Sequence, residues 1–461
     1  MHQLPRLFTA LALASLVGAA LARPVNDHLV PGDEPAPTDR LIIKYRSGVQ
    51  PFTTARGEAA IRVASNRQGV NMRHLRAMSS GAQVMQLNRR LNAQEAEAMV
   101  QSLRAGDPDI EYAEPDHLLQ PLMTPSDSYY SYQWSLFDAT AGIRAPAAWD
   151  KASGAGIVVA VIDTGVRKHA DLTANLLAGR DFISTTFISN DGDGRDADAT
   201  DPGDYVTAGY CSTGSAAANS SWHGTHVAGI VAAATNNKAG VAGVAWGAKV
   251  LPLRALGRCG GYTSDISDAI SWAAGNAVSG LPTNTTPARV INLSLGGTAA
   301  CSKTSQTAIN AARAKGAVVI VAAGNEKADA STSSPANCTG VISVAATGKT
   351  GGRASYSNYG STVTLAAPGG DGGSSGILST WNAGTTTPGA DAYAYMSGTS
   401  MATPVVSGVA ALMLSANPKL TPDQVATLLK SSARAFPASC SGCGAGIVNA
   451  EAAVAAAIAA K

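Results

Sequence analysis

With 461 residues, 45% of them hydrophobic and only 14% charged, the chain is too apolar to be disordered and is long enough for two or three domains of about 100–200 residues each. Its formal net charge of +2 offers no clustered basic face, which excludes an ordinary nucleic-acid binder and leaves a normally solvated surface. At the start, Arg6 supplies a positive charge, Leu7–Gly18 an apolar run, and Ala20-Leu21-Ala22 the small residues of a cleavage site. Residues 1–22 therefore read as a Sec-type signal peptide. The run is shorter than the roughly 20 residues a bilayer span needs, and charges follow at once. Ala402–Leu414 is broken by Pro404, Ser407 and Gly408 and does not read as a span. The product is expected to be exported and extracellular, a soluble monomer with no membrane anchor.

Residues 23–40 are a Pro- and Asp-rich linker. Leu41–Tyr45, Val84–Leu87 and Ile110–Ala113 read as strands, and Glu58–Asn66 and Gln94–Leu103 as helices. That order predicts a small ferredoxin-like α+β domain over residues 41–120. Gln120–Ser126, with Pro121 and Pro125, reads as an exposed linker of the kind proteases nick. Beyond it, Ile157–Ile162, Val250–Leu253, Val290–Leu293, Val318–Ala322 and Val341–Ala345 are continuous apolar runs, as expected of strands buried on both faces. Helical patterns at His226–Ala234, Asp265–Gly275, Ser305–Lys315, Pro404–Ala416 and Pro422–Ser431 alternate with them, and an Ala-rich helix is expected to close the chain from Ala450. The alternation predicts an α/β domain over residues 124–461 with a mostly parallel sheet, and no further domain after it.

All six cysteines lie from Cys211 onward, an even count that suits a disulfide framework in an exported chain. Fifteen pairings are open in principle; nearest-neighbour pairing gives Cys211–Cys259, Cys301–Cys338 and Cys440–Cys443. No second Cys/His pair has zinc-ligand spacing.

Four segments carry chemistry. Val159–Ile162 is an apolar strand closed by Asp163-Thr164-Gly165, which places a carboxylate at the carboxyl end of a sheet strand, where α/β active sites lie. His223-Gly224-Thr225-His226-Val227-Ala228-Gly229 puts His223 at a helix entry, with His226 one turn further in as a packed structural histidine. Gly398-Thr399-Ser400-Met401-Ala402-Thr403-Pro404 puts Ser400 between a turn and a long apolar helix, whose free N–H groups can stabilise an oxyanion. Val321-Ala322-Ala323-Gly324-Asn325 ends a strand on an amide. Taken singly, each has an ordinary structural reading, such as a helix cap. The order Asp, His, Ser matches one of the known triad orders.

The segments 163–165, 223–229 and 398–404 are similar to the three signatures of the subtilases, intact, and the chain most resembles the extracellular serine proteases of Gram-negative bacteria. The resemblance covers about Thr124 to Lys461. It implies a subtilisin-like three-layer domain and a serine endopeptidase acting on proteins and peptides, with Ser400 as nucleophile, His223 as general base and Asp163 orienting it. It implies an oxyanion hole of Asn325 and the Ser400 N–H, a cleft lined by Ser294-Leu295-Gly296-Gly297, and an S1 wall of Ala322-Ala323-Gly324. The small wall residues suggest that large P1 side chains enter. Residues 41–120 resemble the family's inhibitory prodomain, so residues 23–123 are expected to be a propeptide, cut near Leu122–Ser126 and holding the enzyme as a zymogen.

Six carboxylates crowd the stretch from Asp191 to Asp204 and would repel unless a hard cation neutralised them. Calcium in that loop, on Asp193, Asp196 and Asp204, is therefore expected, and the resemblance favours it. Two other readings remain open: a non-catalytic scaffold on the same fold, and a peptide cyclase that favours amines over water. The intact triad argues against the first and the lack of a water-excluding insert against the second.

Overall fold

The computed structural model describes residues 37–49, 51–52, 54–117 and 124–460. The expected signal peptide and the first part of the expected cleavage region lie outside the described residues. The chain forms two compact units, Met1–Leu118 and Leu119–Lys461.

In the first unit, strands β1 (Thr38–Tyr45), β2 (Met72–Ala77), β3 (Gln83–Leu91) and β4 (Ile110–Pro115) make an antiparallel sheet in the order β2-β3-β1-β4. Helices α1 (Ala55–Gln68) and α2 (Ala93–Gly106) complete a βαββαβ order. Helix α2 starts at a capping box: Asn92 accepts from the Glu95 N–H, and the Glu95 carboxylate accepts from the Asn92 N–H. Its Met99, Val100 and Leu103 then pack on Leu41 and Ile43 of β1. Strand β2 was not expected from sequence. It is a sheet edge rich in Arg73, His74 and Arg76 and mostly exposed, so it shows no buried alternation to read, while its charges protect the edge.

In the second unit, seven strands form one sheet. They are β5 (Val158–Asp163), β6 (Arg180–Asp181), β7 (Lys249–Arg254), β8 (Val290–Leu293), β9 (Val318–Ala322), β10 (Ile342–Thr347) and β11 (Leu365–Pro368). Their order is β11-β10-β9-β8-β5-β7-β6, and every pairing is parallel. Both faces are buried. Val159 and Val161 face one apolar cluster while Ala160 and Ile162 face the other; Val318 and Ile320 alternate with Val319 and Val321 in the same way. The first cluster holds helices α3 (His223–Ala232), α6 (Thr399–Ala416), α7 (Pro422–Ser431) and α8 (Ala450–Ala459). The second holds α4 (Thr263–Ala273) and α5 (Lys303–Ala314), which gives three layers. Helix α6 is long and apolar enough to cross a membrane, yet it lies buried within this core. An antiparallel hairpin, β12 (Ile377–Asn382) with β13 (Asp391–Met396), packs on α3. The three disulfides are Cys211–Cys259, Cys301–Cys338 and Cys440–Cys443.

Candidate active site

Strand β5 ends in Asp163, which is fully buried. Its Oδ1 accepts from His223 Nδ1 at 2.7 Å and from the Thr164 N–H at 2.8 Å. The histidine reaches it because two backbones approach closely. A Cβ on Gly224 would lie 2.2 Å from the Gly165 carbonyl oxygen, so only glycine fits after His223. Trp222, left-handed at φ 46° and fully buried, sets the turn into α3 and ties its indole N–H to the Gly384 carbonyl. Burial opposes protonation of His223, but the Asp163 carboxylate outweighs it, with Asp204 and Asp201 adding to the same effect, and raises the imidazole above its usual pKa. The second histidine, His226, is fully buried; Nε2 bonds the Ala394 carbonyl, and burial pushes its pKa down to about 3. It is a neutral packing residue.

Ser400 stands at the second position of α6, where its N–H has no carbonyl one turn back to meet. Its hydroxyl donates to the Ser294 carbonyl at 3.2 Å. A serine has one hydroxyl proton, so in this rotamer it is not given to His223. Helices α3 and α6 pack together, which brings the ends carrying His223 and Ser400 to one side of the sheet. Pro404 lies within the first turns of α6 and cannot donate to the Ser400 carbonyl. The buried Ser294 hydroxyl fills that gap at 2.8 Å. Ser294 is held in turn by the Asn292 amide at 3.0 Å, and Asn292 by the Ser407 hydroxyl at 2.9 Å.

Asn325 is exposed, so bonds rather than packing orient its amide. Its Oδ1 accepts from both the N–H and the hydroxyl of Thr399, each at 2.9 Å, which turns the amide's donor end outward. The Thr399 hydroxyl also accepts from the Gly324 N–H at 3.2 Å. Ala322 and Ala323 are buried, and Gly324 turns the chain at φ 108°. Leu295 is half-buried and Gly296 exposed, while Gly297 and Thr298 pair antiparallel with Ser333 and Ser334. Sequence reasoning missed Thr164, Asn292 and Thr399. Each is a short polar residue, Thr164 and Thr399 inside a motif and Asn292 two residues before Ser294, whose supporting role shows only in its hydrogen bond.

The acidic loop was expected to hold calcium on Asp193, Asp196 and Asp204. Among the described residues no three His, Cys, Asp or Glu side chains gather as metal ligands, and Asp193, Asp196 and Asp204 are not brought together. Several of the loop carboxylates find partners within the protein. Asp191 pairs with Arg254, Asp196 accepts from the Asp198 N–H, Asp198 from the Thr200 N–H, and Asp204 from the N–H and hydroxyl of Ser221. A different set has the chemistry of a cation site. Asp127 and Asp171 are almost fully buried, and burial raises both carboxyl pKa values. Asp127 Oδ1 is buried without a partner. Asn237 bonds Asp171 Oδ1 at 2.6 Å.

A sequence profile of the Subtilase family matches residues 154–446. An extracellular protease of Xanthomonas campestris is 50% identical over 98% of this chain and 79% of its own length. An extracellular basic protease of Dichelobacter nodosus is 42% identical over 91% of this chain and 71% of its own. Among solved structures, a protease of Pseudoalteromonas arctica superposes with a TM-score of 0.72 at 57% identity, covering 73% of this chain and 100% of that one.

Proposed function

The chain belongs to the subtilase family and is a serine endopeptidase, and on that footing we propose that Ser400, His223 and Asp163 are its catalytic triad. The observation that carries this reading is the 2.7 Å bond between buried Asp163 and His223 Nδ1, which leaves Nε2 as the free base. With a peptide bound, the Ser400 hydroxyl turns from Ser294 to His223 Nε2, which takes its proton as Oγ attacks the carbonyl carbon. Charge on the carbonyl oxygen is met by the Asn325 amide and the Ser400 N–H. His223 gives the proton to the leaving amine, and water then cleaves the acyl-enzyme by the same steps in reverse. Ser294–Gly297 hold the substrate as an added strand, and Ala322-Ala323-Gly324 wall the S1 pocket.

Residues 1–22 direct secretion, and residues 41–120 act as inhibitor and folding aid until the chain is cut near Leu122–Ser126. The Asp127 and Asp171 carboxylates would hold calcium, which takes oxygen donors, with the Asn237 amide, now donating to Asp171, beside them; bound there, the ion would screen two buried carboxylates and fasten the mature domain's start to the loop after α3.

The test is casein hydrolysis and N-terminal sequencing of the secreted protein, wild type beside Ser400→Ala. The expected result is cleavage of casein and a new N-terminus near Leu122–Ser126 in the wild type alone. Hydrolysis by Ser400→Ala at the wild-type rate would refute the triad.

A further inference from the structure

Two further carboxylates lie behind His223. Asp201 is 1% exposed. Its Oδ2 accepts from the Thr164 hydroxyl at 2.7 Å and its Oδ1 from the Gly203 N–H at 2.8 Å. Since the Thr164 proton is committed to Asp201, a lone pair of the same oxygen faces the Gly224 N–H, which donates to it at 3.0 Å. Gly224 is the second residue of α3, and Trp222 at the cap position offers no side-chain bond. Thr164, just past the end of β5, thus caps the helix of His223 with an oxygen that donates to a buried carboxyl group. The backbone of Thr164 meanwhile holds Asp163 Oδ1. One residue therefore touches Asp163 and the backbone of Gly224, next to His223, and Asp201 sets its orientation. Asp204 braces the same helix entry by accepting from the N–H and the hydroxyl of Ser221, at 2.5 and 2.6 Å.

We propose that Asp201, acting through the Thr164 hydroxyl and the Gly224 N–H, is a positioning residue for His223, with Asp204 as its partner through Ser221. This rests on the triad reading above. The acidic loop thereby sets two carboxyl groups at the N-terminus of α3, where the helix dipole favours negative charge. The same anions add to Asp163 in favouring the imidazolium that forms during acylation. Burial pushes the Asp201 carboxyl up to about 7, Asp204 adds to the rise, and Thr164, Gly203 and Arg254 oppose it.

Asparagine cannot replace Asp201 neutrally. Two donors point at the carboxylate, one at each oxygen, and an amide in either orientation sets its NH₂ against one of them. The experiment measures kcat and KM across pH on a chromogenic peptide, per active site titrated with a serine-directed sulfonyl fluoride. It compares Asp201→Asn, Asp204→Asn, Thr164→Val and Thr164→Ser in the full chain. The titratable groups facing His223 are Asp163 from β5, Asp201 and Asp204 from the loop, and neutral His226 from its own helix. Asp163 is unchanged in every variant. Expected are a kcat loss of about tenfold in Asp201→Asn and Thr164→Val with KM little changed, and near wild-type rates in Thr164→Ser. The acid limb of kcat/KM should move to lower pH in Asp204→Asn, because removing an anion disfavours the imidazolium, and by less in Asp201→Asn, because the Asp201 carboxyl itself takes up a proton near pH 7. The proposal is overturned if Asp201→Asn keeps both kcat and acid limb per titrated site, or if only the number of titratable sites falls. It is likewise overturned if Thr164→Ser is as impaired as Thr164→Val. A failed triad reading would show separately, as an active Ser400→Ala.

Discussion

Thr399 offers a graded test of the oxyanion donor. The exposed Asn325 side chain is oriented by two bonds from Thr399, one from its N–H and one from its hydroxyl. Thr399→Val removes the second and leaves the first. A neutral hydrogen bond is worth about 0.5–1.5 kcal/mol net. At about 1.4 kcal/mol per tenfold, kcat should fall about 2- to 12-fold if the bond's whole value lies in holding the amide for the transition state. KM should hold, because the charge on the carbonyl oxygen is absent from bound substrate. Outright loss of the donor, in Asn325→Ala, should cost about 10²–10³-fold in kcat, a scale taken from the family's own type enzyme. Thr399→Val must therefore fall well short of Asn325→Ala, and Thr399→Ser must recover. The assay is steady-state hydrolysis of an anilide peptide, corrected for titrated sites, with a melting curve for each variant. The Gly324 N–H loses its acceptor as well, so the melting temperature should also fall. A valine variant with unchanged kcat, or one whose loss appears only in KM, would refute the proposed role of Asn325 and Thr399.

Other expectations follow from single contacts. Asp163 raises the pKa of His223 above the usual value near 6.5, so kcat/KM should fall with acidification through a midpoint above that value; a flat profile to pH 4 would remove His223 as base. The same shift makes the pair's contribution to stability complete below the unfolded pKa and lost as pH rises through the folded one. EDTA should lower the melting temperature of the wild type but not of Asp127→Asn, while Asp193→Asn and Asp196→Asn should remain chelator-sensitive; equal behaviour of all four would exclude the buried calcium site. Gly229→Ala would set a Cβ 2.2 Å from Thr380 Oγ1 on the hairpin, and about 1–3 kcal/mol of destabilisation by denaturant titration is expected. Replacing both Cys301 and Cys338 by serine opens a span of 37 residues and should cost about 4 kcal/mol, against about 2 for the Cys440–Cys443 pair; a reversed order would contradict the chain-entropy account.

The parts of the fold legible in sequence were those with a burial signature. Val290–Leu293 and Val318–Ala322 are strands over the very residues of their apolar runs, because a sheet covered on both faces leaves no polar alternation to blur the ends. Pro422–Ser431 starts where read because Thr421 and Gln424 form a capping box behind Pro422. Helix α6 was read from Pro404 but begins at Thr399, since its first turn faces the site and its polar residues break the apolar period. Strand β11 and the β12–β13 hairpin were missed; Ala366 and Ala367 are too small, and the hairpin too polar, to announce a strand. Of the site, the residues in the signature segments were legible. The supporting roles of Thr164 and Thr399 within them, and of Asn292 outside them, were not, since these differ from any other short polar residue only in what the fold sets beside them. The carboxylates that burial leaves unbalanced, Asp127 and Asp171, stand far apart in the chain.

Pro404 gives the nucleophile's helix an opening at its base. Because the ring has no N–H, the Ser400 carbonyl must find its donor outside the helix, and it finds Ser294 on the segment proposed to bind substrate. The two walls of the cleft are thereby joined at one oxygen, and a shift of either is felt by the other. Sequence drift at the two positions should consequently be linked. A chain that lost the Ser294 hydroxyl could close the opening with any residue that restores an N–H at position 404, at the expense of the tie between nucleophile and substrate strand. Proline at this point thus works as an enforced vacancy, keeping the helix dependent on its neighbour.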